Sequence, residues 1–307
     1  MSGYRSAAYA RAFAHVAGMG EARELPRSGG WILVRDIPGT DRRDAMGCYP
    51  LFSCRDGSAL AADLKDPDTI GRDLVALSLV TDPFCDFGGL EGLRRAFPDL
   101  ARPFKEHFVV DLTVPENERV SEHHRRNARR AAQLLTVELA ANTHTLLDEW
   151  HELYGHLIER HGIRGIAAFS RESFAAQLQV PGMVAFRALE GGKPVGITLW
   201  YIQGDAALYH LGAYSPAGYA LRASFALFQK ALEHFADVGL RWAGLGSGAG
   251  TQGQGSDGLR RFKEGWSTGT RTAYLCGRIF DPEAYAELAS RVAPTRYFPA
   301  YRQGEMG

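Results

Sequence analysis

The chain has 307 residues, and its thirty-five basic and thirty-five acidic side chains cancel. That balance excludes a protein coated with one sign of charge for nucleic acid, so any RNA contact is confined to a local patch. The length and a hydrophobic content of 45% allow two cored domains. The cysteines, Cys48, Cys54, Cys85 and Cys276, form no CxxC pair, which supports neither a zinc ribbon nor a disulfide framework. Free thiols fit a reducing compartment, so a cytoplasmic enzyme without a metal is expected.

The first twenty residues hold two arginines among alanines and aromatics, without the continuous apolar core of a secretory signal. Ser6–Val16 is predicted as an amphipathic surface helix within a helical extension over residues 1–27. No stretch of about twenty apolar residues occurs, so membrane insertion is not expected. No fixed-period repeat is visible. Gly30–Asp36 and Cys48–Ser53 are predicted as strands, Pro50 marking the second as an edge or bulge. Leu74–Val80 is a continuous apolar run, as in a strand buried on both faces. Leu90–Ala96 is predicted as a short helix and His107–Leu112 as a strand. Strands and helices mix without a βαβ rhythm, which favours α+β layers over a doubly wound sheet.

A basic segment follows, Ser121-Glu-His-His-Arg-Arg-Asn-Ala-Arg-Arg-Ala131. On a helix, Arg125 with Arg129 and Arg126 with Arg130 lie one turn apart and make a positive stripe. The stripe fits either RNA phosphates or a substrate diphosphate, or else a plain solvated helix face. His123 and His124 are adjacent and lack the i, i+4 spacing of helical metal ligands. Leu146–His161 is predicted as a helix with an exposed mixed-charge face. Met183–Leu189, Val195–Ile202 and Ala206–Gly212 are predicted as sequential strands, with Glu190-Gly-Gly-Lys-Pro194 as the first hairpin. Ala217–Ala236 is predicted as one long amphipathic helix and Leu240–Leu245 as a short strand.

The segment from Gly244 to Trp266 is the densest in signals. Glycines let the backbone approach a ligand closely, Gly248 and Gly250 among them. The run closes on Arg260, Arg261, Phe262 and Lys263, two guanidinium forks and an ammonium beside an aromatic ring, which suit a phosphate or carboxylate. The plain reading is a solvated loop before a helix, with Asp257 as its cap. The order strand, helix, strand, glycine loop, then Leu259-Arg-Arg-Phe-Lys-Glu-Gly-Trp266 resembles the second acyltransferase-like domain of the Fem family. These are peptidyl aminoacyltransferases built from two GNAT-like domains. Asp111-Leu112 leading into Arg125-Arg-Asn-Ala-Arg129 also resembles that family. The resemblance covers the last half of the chain best. It implies tandem GNAT-like domains of mixed α/β layers, a divergent one over residues 28–133 and a second over residues 134–307.

The resemblance also implies aminolysis of an activated ester or thioester. Phe262 would wall the acceptor and Lys263 would support negative charge. Tyr209 and His210 fall at the splayed end of the central strand, where alternation turns one of them inward. His210 is either a proton relay or a core histidine. Arg260, Arg261, Arg126 and Arg130 would bind the anionic substrate. No tightly bound cofactor is expected, but the co-substrate is either aminoacyl-tRNA or acyl-coenzyme A. A coenzyme A loop reads Gln/Arg-x-x-Gly-x-Gly/Ala, and Ser215-Pro-Ala-Gly-Tyr-Ala220 matches only its last half. Pro216 also removes one N–H donor. The Fem resemblance, whose members lack this loop, implies aminoacyl-tRNA as the expected donor and an amine-bearing small molecule or peptide as the acceptor, with an acyl-coenzyme A N-acyltransferase or a non-catalytic RNA- or peptide-binding protein as alternatives.

Overall fold

The computed structural model describes residues 3–13, 20–248 and 257–305. The chain forms two compact units that interleave along the sequence. The first takes residues 4–105, 164–176 and 272–307, and the second takes 1–3, 106–163 and 177–271. Neither follows the continuous segments 28–133 and 134–307 read from the sequence. The basic helix, Glu122–Ala132, belongs with the second half because it packs on the long helix Ala223–Asp237.

In the first unit β1 (Glu21–Leu25), β2 (Gly30–Asp36) and β3 (Arg43–Gly47) pair antiparallel in turn, and β4 (Leu74–Val80) runs parallel to β3. The apolar runs of β2 and β4 have the predicted bounds. The helical extension is shorter than predicted, because Glu21–Leu25 joins the sheet. Its helix, Ala7–Ala12, is not a surface helix: Tyr9, Ala10, Ala12 and Phe13 are buried. Cys48–Ser53 is not a strand beyond one bridge from Phe52 to Thr81, since the ladder with β2 ends at Gly47.

The second unit holds β5 (Leu100–Asp111) from Glu106 onward, β6 (Thr136–Leu139), β7 (Met183–Glu190), β8 (Lys193–Gln203), β9 (Ala206–Tyr214) and β10 (Trp242–Gly246). Their order is β5-β10-β9-β8-β7-β6. The pairs are antiparallel except β9 with β10. The three-strand meander β7-β8-β9 is therefore as predicted. From Val195 to Gln203 every residue of β8 is buried, so both of its faces are covered. The helix Leu147–His161 packs on β8 and β9, and Ala223–Asp237 packs on β7 and β8. β11 (Gly269–Ile279) pairs antiparallel with β4 and completes the first unit from residue 272.

The predicted helix Ala217–Ala236 is two helices, Pro216–Ala220 and Ala223–Asp237. Arg222 breaks it with φ +58°, a left-handed conformation that costs a residue bearing a Cβ. Its guanidinium donates to Asn127 Oδ1 on the basic helix, which holds the break in place. The core of the second unit joins Trp200, Phe228, Leu232, Phe235 and Trp266. Phe235 is fully buried, 5.2 Å from the Trp200 ring and 5.8 Å from Phe186. Phe235→Ala should destabilise the protein by about 3–5 kcal/mol in urea unfolding. A change under about 1 kcal/mol would mean that this cluster is not the core that holds the sheet to its helix.

Candidate functional site

The basic helix starts at Ser121, whose side chain caps it by accepting from the His124 N–H. The cap places His124 inward, where it is buried. His124 Nε2 donates to the carbonyl of Phe262 at 2.9 Å, and its Nδ1 lies 2.8 Å from Ser121 Oγ. Burial lowers the pKa of His124, so the ring is neutral at pH 7 and Nδ1 accepts from the serine hydroxyl. Beside it, the Ser121 N–H donates to the carbonyl of Gly265 at 2.9 Å. Both carbonyls stand at the end of the short helix Asp257–Glu264, where intrahelical donors run out. The start of one helix thus satisfies the end of another.

Rings complete the clasp. His124 lies 5.0 Å from Phe225, 5.7 Å from Phe262 and 5.2 Å from Trp266. Phe262 also meets Phe228 edge-on at 4.9 Å. Gly265 makes room for this, because a Cβ there would stand 2.1 Å from His124 Cε1.

With Phe262 held, the next residue turns toward the end of β10. Lys263 is buried, and its Nζ donates to the carbonyl of Ser247 at 2.6 Å. The same ammonium lies 5.6 Å from the centre of the Tyr209 ring, a cation–π distance. Gly246, just before Ser247, has φ +75°, and a Cβ there would approach Nζ to 3.3 Å. Tyr209 stands where the sheet opens, since the parallel register of β9 with β10 ends at Leu208 and Gly244. The Tyr209 hydroxyl hydrogen-bonds with Tyr214, and burial raises its pKa. An ammonium, a phenol and a splayed strand pair therefore meet at one place.

Residues 118–263 match a family described as an acetyltransferase (GNAT) domain. That stretch is similar to a GNAT domain. The fold extends beyond it and is that of FemX, matched at a TM-score of 0.66 over 92% of this chain and 93% of that one, at 15% identity. The C-terminal domain of a protein described as a lysylphosphatidylglycerol synthetase from Agrobacterium fabrum matches at 0.65, over 94% and 92%, at 17% identity. L-PGS from Bacillus licheniformis matches at 0.56, over 91% and 93%, at 16% identity. No curated protein matches the sequence. The fold is thus a GNAT fold in Fem-like form.

Within the matched residues 118–263, Lys263, Phe262 and Tyr209 come together, but His210 does not join them. Alternation turns it to the opposite face of β9, where it is buried with Nε2 2.8 Å from Gln177 Oε1 and its ring 5.0 Å from Tyr201. Burial lowers its pKa to about 3. It is a neutral core histidine at physiological pH and not a proton relay. Arg126, Arg130, Arg260 and Arg261 are exposed. Gly248 follows the carbonyl that receives Lys263, while Gly250 lies outside the described residues. His124 is a residue of the site that metal-type spacing in the sequence does not reveal. The Ser-x-x-His cap was the available signal. Among the described residues no cluster of His, Cys, Asp or Glu suits a metal ion.

Four N–H groups of the turn that would serve a coenzyme pyrophosphate are engaged within the turn itself. Gly218 N–H donates to Ser215 Oγ at 3.1 Å, and Tyr219 N–H to the Ser215 carbonyl at 3.0 Å. Leu221 and Arg222 donate to the carbonyls of Ala217 and Tyr219. Pro216 has no N–H to offer.

Two predictions follow from the packing. Gly265→Ala should cost about 1–3 kcal/mol and change the near-ultraviolet circular dichroism of Trp266, because His124 must leave its place. Adding His124→Ala should recover part of that loss, and strict additivity would contradict the contact. The second concerns pH. His210 is neutral when folded but titrates near pH 6.5 when unfolded. Its contribution is therefore complete above about pH 6.5 and is lost as pH falls toward about 3. In urea titrations between about pH 6 and pH 4, His210→Gln should flatten the stability slope by about 1.4 kcal/mol per pH unit. Equal slopes would mean that His210 is protonated in the fold.

Proposed function

We propose that this protein transfers an aminoacyl group from aminoacyl-tRNA to an amine on a small molecule or peptide. The observation that carries this reading is the turn Ser215–Ala220. Coenzyme A binding at a helix start draws on backbone N–H groups that point at the pyrophosphate. Here Gly218, Tyr219, Leu221 and Arg222 donate within the turn itself. A donor recognised elsewhere, through its nucleic-acid phosphates, needs no such loop. The exposed arginines Arg126, Arg130, Arg260 and Arg261 suit phosphates of that kind. The names of the fold neighbours point the same way: FemX is the namesake of the family that the motifs resemble, and lysylphosphatidylglycerol synthetase names a lysyl product.

The chemistry is aminolysis. The neutral amine attacks the ester carbonyl, and a C–N bond forms as an oxyanion develops. The C–O bond to the ribose then breaks, and the amine proton passes to the leaving hydroxyl. Lys263 supports the oxyanion from a fixed position, since Ser247 and Tyr209 hold its ammonium. The half-buried ring of Phe262 walls the acceptor. Orientation of the two reactants supplies most of the rest.

The test is a donor assay. The protein is incubated with tRNA charged with a labelled amino acid, coenzyme A esters and the amine pool of a bacterial extract, and mass spectrometry follows the label. Label should reach an amine, ribonuclease should abolish the transfer, and millimolar coenzyme A should hardly inhibit it. Inhibition at micromolar coenzyme A would make the donor an acyl-coenzyme A. Tight binding of charged tRNA without any transfer would make the protein a binder only.

A further inference from the structure

A second chemical cluster lies wholly within the first unit and outside the matched residues 118–263. It gathers around Cys85, a partly exposed thiol in the loop after β4. Arg5 reaches it from the N-terminal segment, with one guanidinium nitrogen 3.4 Å from Cys85 Sγ and Nε donating to Ser53 Oγ at 3.2 Å. Ser53 Oγ is itself 3.1 Å from Cys85 Sγ. Cys54 is buried next to it, and the Cys85 thiol donates to the Cys54 carbonyl at 3.5 Å. Asp82 also faces the cluster, with Oδ2 3.7 Å from Cys85 Sγ.

The loops that carry the two thiols are fixed to each other. The Phe52 N–H donates to the Val80 carbonyl at 2.7 Å, and the Asp82 N–H to the Phe52 carbonyl at 2.8 Å. The Cys85 N–H donates to the Asp82 carbonyl at 3.1 Å. The thiol pair is therefore held in a braced frame and not brought together by chance motion of two loose loops.

Its parts divide the work. The neighbouring Cys54 side chain lowers the Cys85 pKa most, and Arg5 and Ser53 add to it against burial and the Asp82 carboxylate. The same contact and burial raise Cys54. One sulfur is thus disposed to be an anion and the other to keep its proton. Cys48 and Cys276 are buried, and burial pushes both up to about 12.

We propose that Cys85 and Cys54 are a hydroperoxide-sensitive thiol pair, in which Cys85 attacks the peroxide and Cys54 resolves the product as a disulfide. In the first step the Cys85 thiolate attacks one peroxide oxygen. An S–O bond forms, the O–O bond breaks, and hydroxide leaves, so that sulfur is oxidised and the peroxide reduced. In the second step Cys54 sulfur attacks the Cys85 sulfenic acid. An S–S bond forms, the S–O bond breaks, and water leaves with the Cys54 proton. One peroxide and two thiols give one disulfide and two waters. Arg5 then loses its anionic partner, which couples the oxidation state to the N-terminal segment.

The test uses the intact protein and needs no acyl donor, so its outcome is separate from that of the donor assay. At neutral pH, timed alkylation with iodoacetamide and peptide mass mapping should show Cys85 reacting at least about tenfold faster than Cys48 and Cys276. Stoichiometric hydrogen peroxide should give a Cys54–Cys85 linked peptide that dithiothreitol cleaves. Cys54→Ser should leave a sulfenic acid on Cys85 that dimedone captures, and Arg5→Gln should slow alkylation severalfold. Should a variant unfold, the alkylation and peroxide results on the unaltered chain still decide the matter. Equal alkylation of Cys85 and Cys48, or peroxide oxidation of Cys85 to a sulfinic acid without the linked peptide, would overturn the proposal.

Discussion

The hydrogen bond from His124 to the carbonyl of Phe262, with that from the Ser121 N–H to Gly265, is the constraint on which the candidate site depends. The helix Asp257–Glu264 has only eight residues, too few to be stable alone in water. Its C-terminal carbonyls need donors, and the start of the basic helix supplies them. The ring cluster of His124, Phe225, Phe228, Phe262 and Trp266 then fixes its rotation. Once Phe262 is held in that cluster, the neighbouring Lys263 is carried to the end of β10. The buried ammonium is tolerated because Ser247 accepts a hydrogen bond and the Tyr209 ring offers its negative face.

The same arrangement explains two glycines. Gly265 leaves the space that the His124 ring fills, and Gly246 turns the backbone so that the following carbonyl meets Lys263. It also separates two aromatic residues that read alike in the sequence. Tyr209 and His210 are neighbours on β9, but only Tyr209 faces the ammonium. The histidine is spent on Gln177 inside the fold. Preorganised charge beside an opening in the sheet is what an acyl transfer with a developing oxyanion calls for.

Much of the sheet was legible in the sequence. Gly30–Asp36 and Leu74–Val80 are apolar runs between turn residues, and the meander of β7, β8 and β9 is marked by Glu190-Gly-Gly and Gly204-Asp205. Short or broken elements were not. β6 is four residues long, and Cys48–Ser53 has strand composition but only one bridge to pair with. The break at Arg222 has no local signal, because it rests on Asn127, far back in the chain. The boundary at residue 133 failed for a related reason: the partners of the basic helix are Phe262, Gly265 and the long helix, all of them distant in sequence. The Phe-Lys motif itself was legible, but the burial of Lys263 was not. An ammonium at a loop end reads as exposed until the carbonyl that receives it is seen.

The central claim is that the ammonium of Lys263 serves the reaction and does not merely tie a loop. Single-turnover transfer from labelled aminoacyl-tRNA, measured for Lys263→Met with circular dichroism as the folding control, tests it most directly. Methionine keeps the length and apolar stem while removing the charge. Loss of a preorganised charge contact predicts a rate lower by roughly a hundredfold to a thousandfold with tRNA binding little changed, and poor rescue by Lys263→Arg, whose planar fork does not replace a point charge. A folded Lys263→Met protein that transfers near the wild-type rate would contradict the account.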